Sequence, residues 1–144
     1  MYPNSASDLA ADLTNVDKRF QVVESQTSIC RAAAALAPAR ADQECDRAAQ
    51  LMHETRLDPT NAGFRGYLAG AYSDLAEVYD SLAAHGGAGD RSRRHLAALD
   101  LYRRSSSIWS DLETRGLVNP TDTGRVTAAR RAVAHAEIAV QRAR

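Results

Sequence analysis

From Asn61 to about His85, apolar residues recur every three or four positions: Phe64, Tyr67, Leu68, Ala71, Tyr72, Leu75, Ala76, Val78, Tyr79 and Leu82. That period makes one wide helical stripe and does not fit the alternation of a strand. Ser73, Asp74, Glu77, Asp80 and Ser81 fill the other side, and Asn61 stands where an N-cap is needed. A second helix is predicted from Arg91 to about Arg115 behind an Asp90 cap. Leu96, Leu99, Tyr102, Ile108, Trp109 and Leu112 turn inward, Arg103, Arg104 and Asp111 turn outward, and Gly116 supplies the stop. The last helix follows Thr121 or Asp122, with Val126, Ala129, Val133, Ala136 and Val140 as a thin, alanine-rich stripe. Upstream, the pattern predicts helix from about Ser5 to Ala37, with Ser25 to Ser28 as the place where it could break. A turn at Pro38 and helix from about Asp42 to Arg56 follow.

Proline and glycine punctuate these segments at Pro3, Pro38, Pro59, Gly86-Gly87-Ala88-Gly89 and Asn119-Pro120. Connections this short oblige sequence neighbours to lie antiparallel, so the expected fold is all-α, an up-and-down array of about five to six helices in hairpins. Two copies of one pattern are visible. Leu9-Ala10-x-x-Leu13 leads to Pro59, and Leu68-Ala69-x-x-Tyr72 leads to Pro120; each proline is followed by a cap pair, Thr60-Asn61 or Thr121-Asp122. The expected organisation is therefore one domain over residues 1–144, with a first hairpin copy in 1–58 and a second copy plus a capping helix in 59–144.

These residues resemble the tetratricopeptide repeat, whose first helix carries a large residue, a small residue and an aromatic at offsets 0, +1 and +4. Leu68, Ala69 and Tyr72 match that spacing, Leu57-Asp58-Pro59-Thr60-Asn61 resembles the junction between repeats, and Ala98 and Tyr102 match the small and aromatic positions of the second helix. Arg65 stands at the usual tryptophan position, Ser105 replaces the usual alanine, and both helices are longer than the standard unit. The elongated stretch from Arg93 to Leu112, with Tyr102-Arg103-x-Ser105-x-x-Ile108-Trp109 followed by Gly116-x-x-x-Pro120-x-Asp122, is similar to the helical tails of some bacterial serine/threonine protein kinases. The resemblance implies a kinase-associated tail or a free-standing relative that binds protein. No glycine-rich phosphate loop, His-Arg-Asp or Asp-Phe-Gly is present.

Composition narrows the function classes. With 44% hydrophobic and 25% charged residues the chain is of globular type. No apolar run exceeds Ala32 to Ala37, far short of the roughly 20 residues that span a bilayer. The first residues lack a secretion signal, so the expected location is the cytoplasm, with no membrane partner. Formal charge is zero overall, yet residues 1–90 hold thirteen acids against seven bases and residues 91–144 five against eleven. The simpler reading is that acidic and basic helices pack side by side. The sharper one is a basic face, Arg91, Arg93, Arg94, Arg103, Arg104, Arg130 and Arg131, that docks an acidic peptide or a phosphate backbone. A single lysine, Lys18, among 18 basic residues points to codon usage rather than phosphate recognition, so nucleic acid is not an expected partner.

Catalytic sets are not apparent. His53-Glu54 lacks the second histidine of a metalloprotease helix, and Gly86, Gly87 and Gly89 lack the ending of a phosphate loop. His53, His85, His95 and His135 share no ligand spacing. No enzyme activity, cofactor or metal is expected. Cys30 and Cys45 lie eight and seven residues either side of Pro38, which would set them level on antiparallel helices. A bridge is geometrically possible, but a cytoplasmic setting favours free thiols. The leading expectation is a module that binds a peptide or protein segment, with Tyr2, Arg65, Tyr79 and Arg103 as candidate contacts chosen for exposure. The rival is a structural or self-associating part of a larger regulatory enzyme.

Overall fold

The computed structural model describes residues 15–144. Tyr2, Pro3 and the Leu9-Ala10-x-x-Leu13 copy lie outside the described residues. The described chain holds five α-helices: α1 (Val16–Leu36), α2 (Pro38–His53), α3 (Ala62–Ala83), α4 (Ala88–Thr114) and α5 (Thr123–Arg142), with a short 3-10 turn at Pro120–Asp122. The all-helical array read from the apolar period is what the described residues adopt.

Each boundary has a local cause. Asn15 starts α1 by accepting the backbone N–H groups of Asp17 and Lys18. The helix then runs unbroken through Ser25 to Ser28, where Thr27 returns its hydroxyl to the Val23 carbonyl at 2.8 Å. Only Ala37 separates α1 from α2, and Pro38 is the first residue of α2 rather than a turn before it. A first-turn position needs no N–H, so proline suits it. Asn61 caps α3 through the Phe64 N–H. Helix α4 begins three residues earlier than predicted, at an extended Gly87, and Asp90 sits in its first turn instead of capping it. At the other end Gly116, with φ of +69°, lets the Leu117 N–H reach the Leu112 carbonyl and its own N–H reach Glu113. This left-handed stop is the role glycine fills best.

The junctions before α3 and α5 fold alike. Asp58 accepts the Thr60 N–H and hydroxyl, and Asn119 accepts the Thr121 N–H and hydroxyl, so Pro59 and Pro120 each occupy the second position of a side-chain-closed turn.

Consecutive helices pack in antiparallel pairs, α1 with α2, α3 with α4 and α4 with α5, and α3 also packs on both helices of the first hairpin. In the first hairpin Arg19 reaches the Glu54 carbonyl at one end, and Cys30 and Cys45 are joined by a disulfide near the other, their Cα atoms 4.7 Å apart. The expectation of free thiols is thus corrected. A one-residue turn and the fully buried Ala41 and Ala48 allow α1 and α2 closer than ordinary helix spacing. In the second hairpin Gly66 faces Trp109, the Ala69 carbonyl accepts the Ser105 hydroxyl at 2.8 Å, and the Leu82 carbonyl accepts from Arg94. Ala69 thus lies against Ser105 and shares a core cluster with Trp109. The serine that departs from the repeat pattern is fully buried and serves as a hydrogen-bonded spacer, accepting from Ser73 as it donates to Ala69.

The repeat positions Leu68, Ala69, Tyr72, Ala98, Tyr102 and Trp109 are all buried. The larger core cluster spans all five helices; a smaller one gathers Ala69, Trp109, Leu112, Val126 and Ala129 where α5 begins. Two residues placed inward by the periodicity, Tyr67 and Leu96, are about half exposed instead. Among the described residues no helix is long and apolar enough to cross a membrane.

Candidate functional site

Helix α1 packs on α3, and α5, which packs on α4, stands across a hollow from α3. Phe20 of α1 stacks on Phe64 of α3 at 5.5 Å and meets Tyr67 edge-on at 4.8 Å, so the two helices start at the same end. Their front faces bound a groove. Its central part, about 400 Å³, is walled by Glu24, Thr27, Ser28 and Arg31 of α1 and by Arg125 of α5, and floored by Gly66, Tyr67, Gly70, Ala71 and Asp74 of α3. The hollow continues along α1 and α3 past Glu77 and Ser81 to His85, and sideways between α3 and α5 over Ala128 and Ala132.

Two glycines set the depth of this floor, for opposite reasons. A Cβ on Gly66 would meet the Trp109 ring at 3.1 Å, so that glycine serves helix packing. A Cβ on Gly70 would meet nothing within 4 Å. An interior helical glycine costs roughly 0.5–1 kcal/mol relative to alanine, and nothing inside the protein repays it at position 70. Arg31, Asp74, Glu24 and Glu77 have no ion-pair or hydrogen-bond partner among the described residues, and Arg125 meets only Asp122, at 3.5 Å. The groove therefore presents acids on its floor helix, a glutamate and an arginine on the α1 wall, and an arginine on the α5 wall.

The candidate contacts named from the sequence do not converge there. Tyr79 is 2% exposed; its hydroxyl donates to Asp46, and burial together with that carboxylate raises its pKa. It ties α3 to α2, and its expected exposure is corrected. Arg65 donates to Asp111 at 2.5 Å and to the Pro59 carbonyl at 3.1 Å, pinning the start of α3 to the end of α4. The Arg65 and Arg115 guanidiniums hold the Asp111 carboxyl below its usual value. Arg103 is exposed, but it faces Glu137 of α5 at 3.5 Å and does not line the groove. Tyr2 lies outside the described residues.

The basic face is also divided differently from the sharper sequence reading. Arg94 is buried and bidentate to Asp42, at 3.1 and 2.9 Å, while its third nitrogen donates to the Leu82 carbonyl at 2.9 Å. Arg93 adds a contact to the same carboxylate at 3.0 Å. These arginines join the two hairpins internally, as the simpler reading of acidic and basic halves anticipates. The buried phenols follow the same logic: Tyr102 donates to Asp80 at 3.1 Å, and Tyr72 lies 3.0 Å from the His53 ring nitrogen. Burial raises both phenol pKa values and lowers that of His53.

Sequence reasoning missed Arg31, Tyr67, Gly70, Asp74 and Arg125. The one local signal was the pair Gly66 and Gly70, a helical turn apart on α3. Comparison with protein-family models, with curated proteins and with solved structures found no match in any of the three.

Proposed function

We propose that this protein is a binding module of tetratricopeptide-like type that holds an extended peptide segment in the groove formed by α1, α3 and α5. The observation that carries the reading is Gly70: a helix-interior glycine whose missing side chain leaves room only on the groove side, where a ligand backbone can approach. Acids on the floor and on the α1 wall, with an arginine on each wall, suit a segment that carries both charges. Kinship with the tails of bacterial serine/threonine kinases belongs to the same proposal and rests on the Tyr102 to Asp122 pattern. The disulfide bears on location. Such bonds persist in oxidising compartments, so it counts against the cytoplasmic placement read from the sequence.

The test is selection of peptides from a displayed library on the full chain, followed by titration of the selected peptides against variants. Gly70→Gln projects into the groove from a Cβ position that meets nothing within 4 Å, and Arg31→Gln removes one wall charge. Both should weaken binding about tenfold or more, a loss of ~1.4 kcal/mol, whereas Arg103→Gln should leave it unchanged. Peptides indifferent to both groove variants would refute the site.

One observation favours the rival, a self-associating part of a larger assembly. Val22, Ile29 and Leu36 stand seven residues apart on the outer face of α1, and Leu36 is 84% exposed. An antiparallel pair of copies centred on Ile29 would set Val22 of one against Leu36 of the other, an isologous contact with two-fold symmetry. Sedimentation of the parent and of Ile29→Lys over a concentration series decides it. A monomer at every concentration sinks this reading.

A further inference from the structure

The eleven arginines of residues 91–144 are not equally occupied. Arg93 and Arg94 hold Asp42, Arg103 meets Glu137, Arg104 meets Asp100, Arg115 meets Asp111, Arg125 meets Asp122 and Arg130 meets Glu113. Four have no ion pair among the described residues: Arg91, Arg131, Arg142 and Arg144. Three of those four border one cavity.

That cavity, about 560 Å³, lies where the beginning of α4 meets the end of α5, well away from the groove. Arg91, Arg142 and Arg144 line it with His95 and His135, and no aspartate or glutamate does. The acids closest in the chain are already engaged: Asp90 by Arg93, Glu137 by Arg103, and Asp80 by Tyr102 and by His95 itself at 3.3 Å. Apolar surface is present as well, from Ile138, which is 46% exposed, and from the neighbouring alanines. Three arginines without a side-chain ion pair among the described residues raise the local potential for anions, and guanidiniums match phosphate oxygens in bidentate geometry. A hollow of this size is in the range that accepts small organic ligands.

We propose that this cavity is an anion site for a phosphate monoester borne on an apolar body, with Arg91 and Arg142 on the phosphate and Ile138 against the organic part. The site is separate from the groove, so its test does not depend on the peptide-binding reading.

The full chain is titrated by calorimetry at low ionic strength with phenyl phosphate, with inorganic phosphate, and with a short alanine-rich peptide bearing one phosphotyrosine. Phenyl phosphate should saturate a single site and bind more tightly than inorganic phosphate. The double variant Arg91→Gln/Arg142→Gln should weaken it about tenfold or more, the loss of charge-assisted contacts. Arg131→Gln, which removes an exposed, unpaired arginine outside the cavity, should leave it unchanged. All three positions are exposed, and unchanged melting of the variants checks that they fold. Peptide binding equal to that of phenyl phosphate assigns the phosphate to a modified side chain, and binding of phenyl phosphate alone assigns it to a small molecule; either result supports the site. Failure to saturate, inorganic phosphate binding as tightly as phenyl phosphate, or an equal loss in Arg131→Gln overturns it.

Discussion

Arg94 offers the sharpest single test of how the two hairpins are joined. Its side chain is 6% exposed and makes three polar contacts: two to Asp42 at the start of α2 and one to the Leu82 carbonyl at the end of α3. Arg94→Leu keeps an apolar side chain in place but strips Asp42 of its bidentate partner and leaves the carbonyl with one acceptor site empty. Breaking a buried pair by removing one member costs about 3–5 kcal/mol. The lower end applies here, because Arg93 still reaches Asp42 at 3.0 Å and that carboxylate is 21% exposed. A loss of about 3 kcal/mol against a urea slope of roughly 2 kcal/mol/M moves the unfolding midpoint down by ~1.5 M. Acid titration gives an independent readout. The hydrogen bond from Arg94, followed by that from Arg93, holds the Asp42 carboxyl below its usual value against the opposing effect of burial. A carboxyl depressed on folding contributes stability that is full above its unfolded value of about 3.9 and is lost as pH falls through the folded value. Arg94→Leu should flatten that acid limb, and in a cycle with Asp42→Asn the two changes should be strongly non-additive. A midpoint within about 0.3 M of the parent, which the same slope makes a loss of only ~0.6 kcal/mol, would refute the account.

Three further outcomes are expected. The oxidised protein should show no reactive thiol, and reduction or Cys30→Ser with Cys45→Ser should cost about 3 kcal/mol, the value for closing a loop near 15 residues, read from urea melts with and without reductant. Gly70→Ala should raise stability by up to ~1 kcal/mol, because the methyl meets open space, whereas Gly66→Ala should gain nothing or lose, because it presses on Trp109; a gain at both would contradict the packing described. His53 is held below its usual pKa chiefly by burial and secondarily by Arg104, so stability should decline as pH falls through and below about 6.5. His53→Gln, measured by thermal melts from pH 5 to 8, should flatten that decline.

Local patterns in this chain determined the elements. The three-and-four spacing from Phe64 to Leu82 specified a helix whatever its surroundings, Asn61 and Gly116 marked ends through groups within one turn of themselves, and the Asx-Pro-Thr turns at Pro59 and Pro120 close on their own side chains. Short loops then left antiparallel hairpins as the arrangement available. Which particular side chains meet across the helices was not legible. Tyr67 and Tyr79 share a helix and a chemistry, yet one is 47% exposed and the other buried, because α1 covers only part of the front of α3 while α2 closes over its back. Arg91 and Arg94 are likewise three residues apart, and only packing against Asp42 makes the second a strut and leaves the first without a partner. The disulfide was decided by how closely the alanines of α2 let the first hairpin shut. The groove follows from the same cause: its walls come from residues some forty to sixty positions from its floor, and distances of that kind are set by tertiary packing and not by any stretch of sequence that contains them.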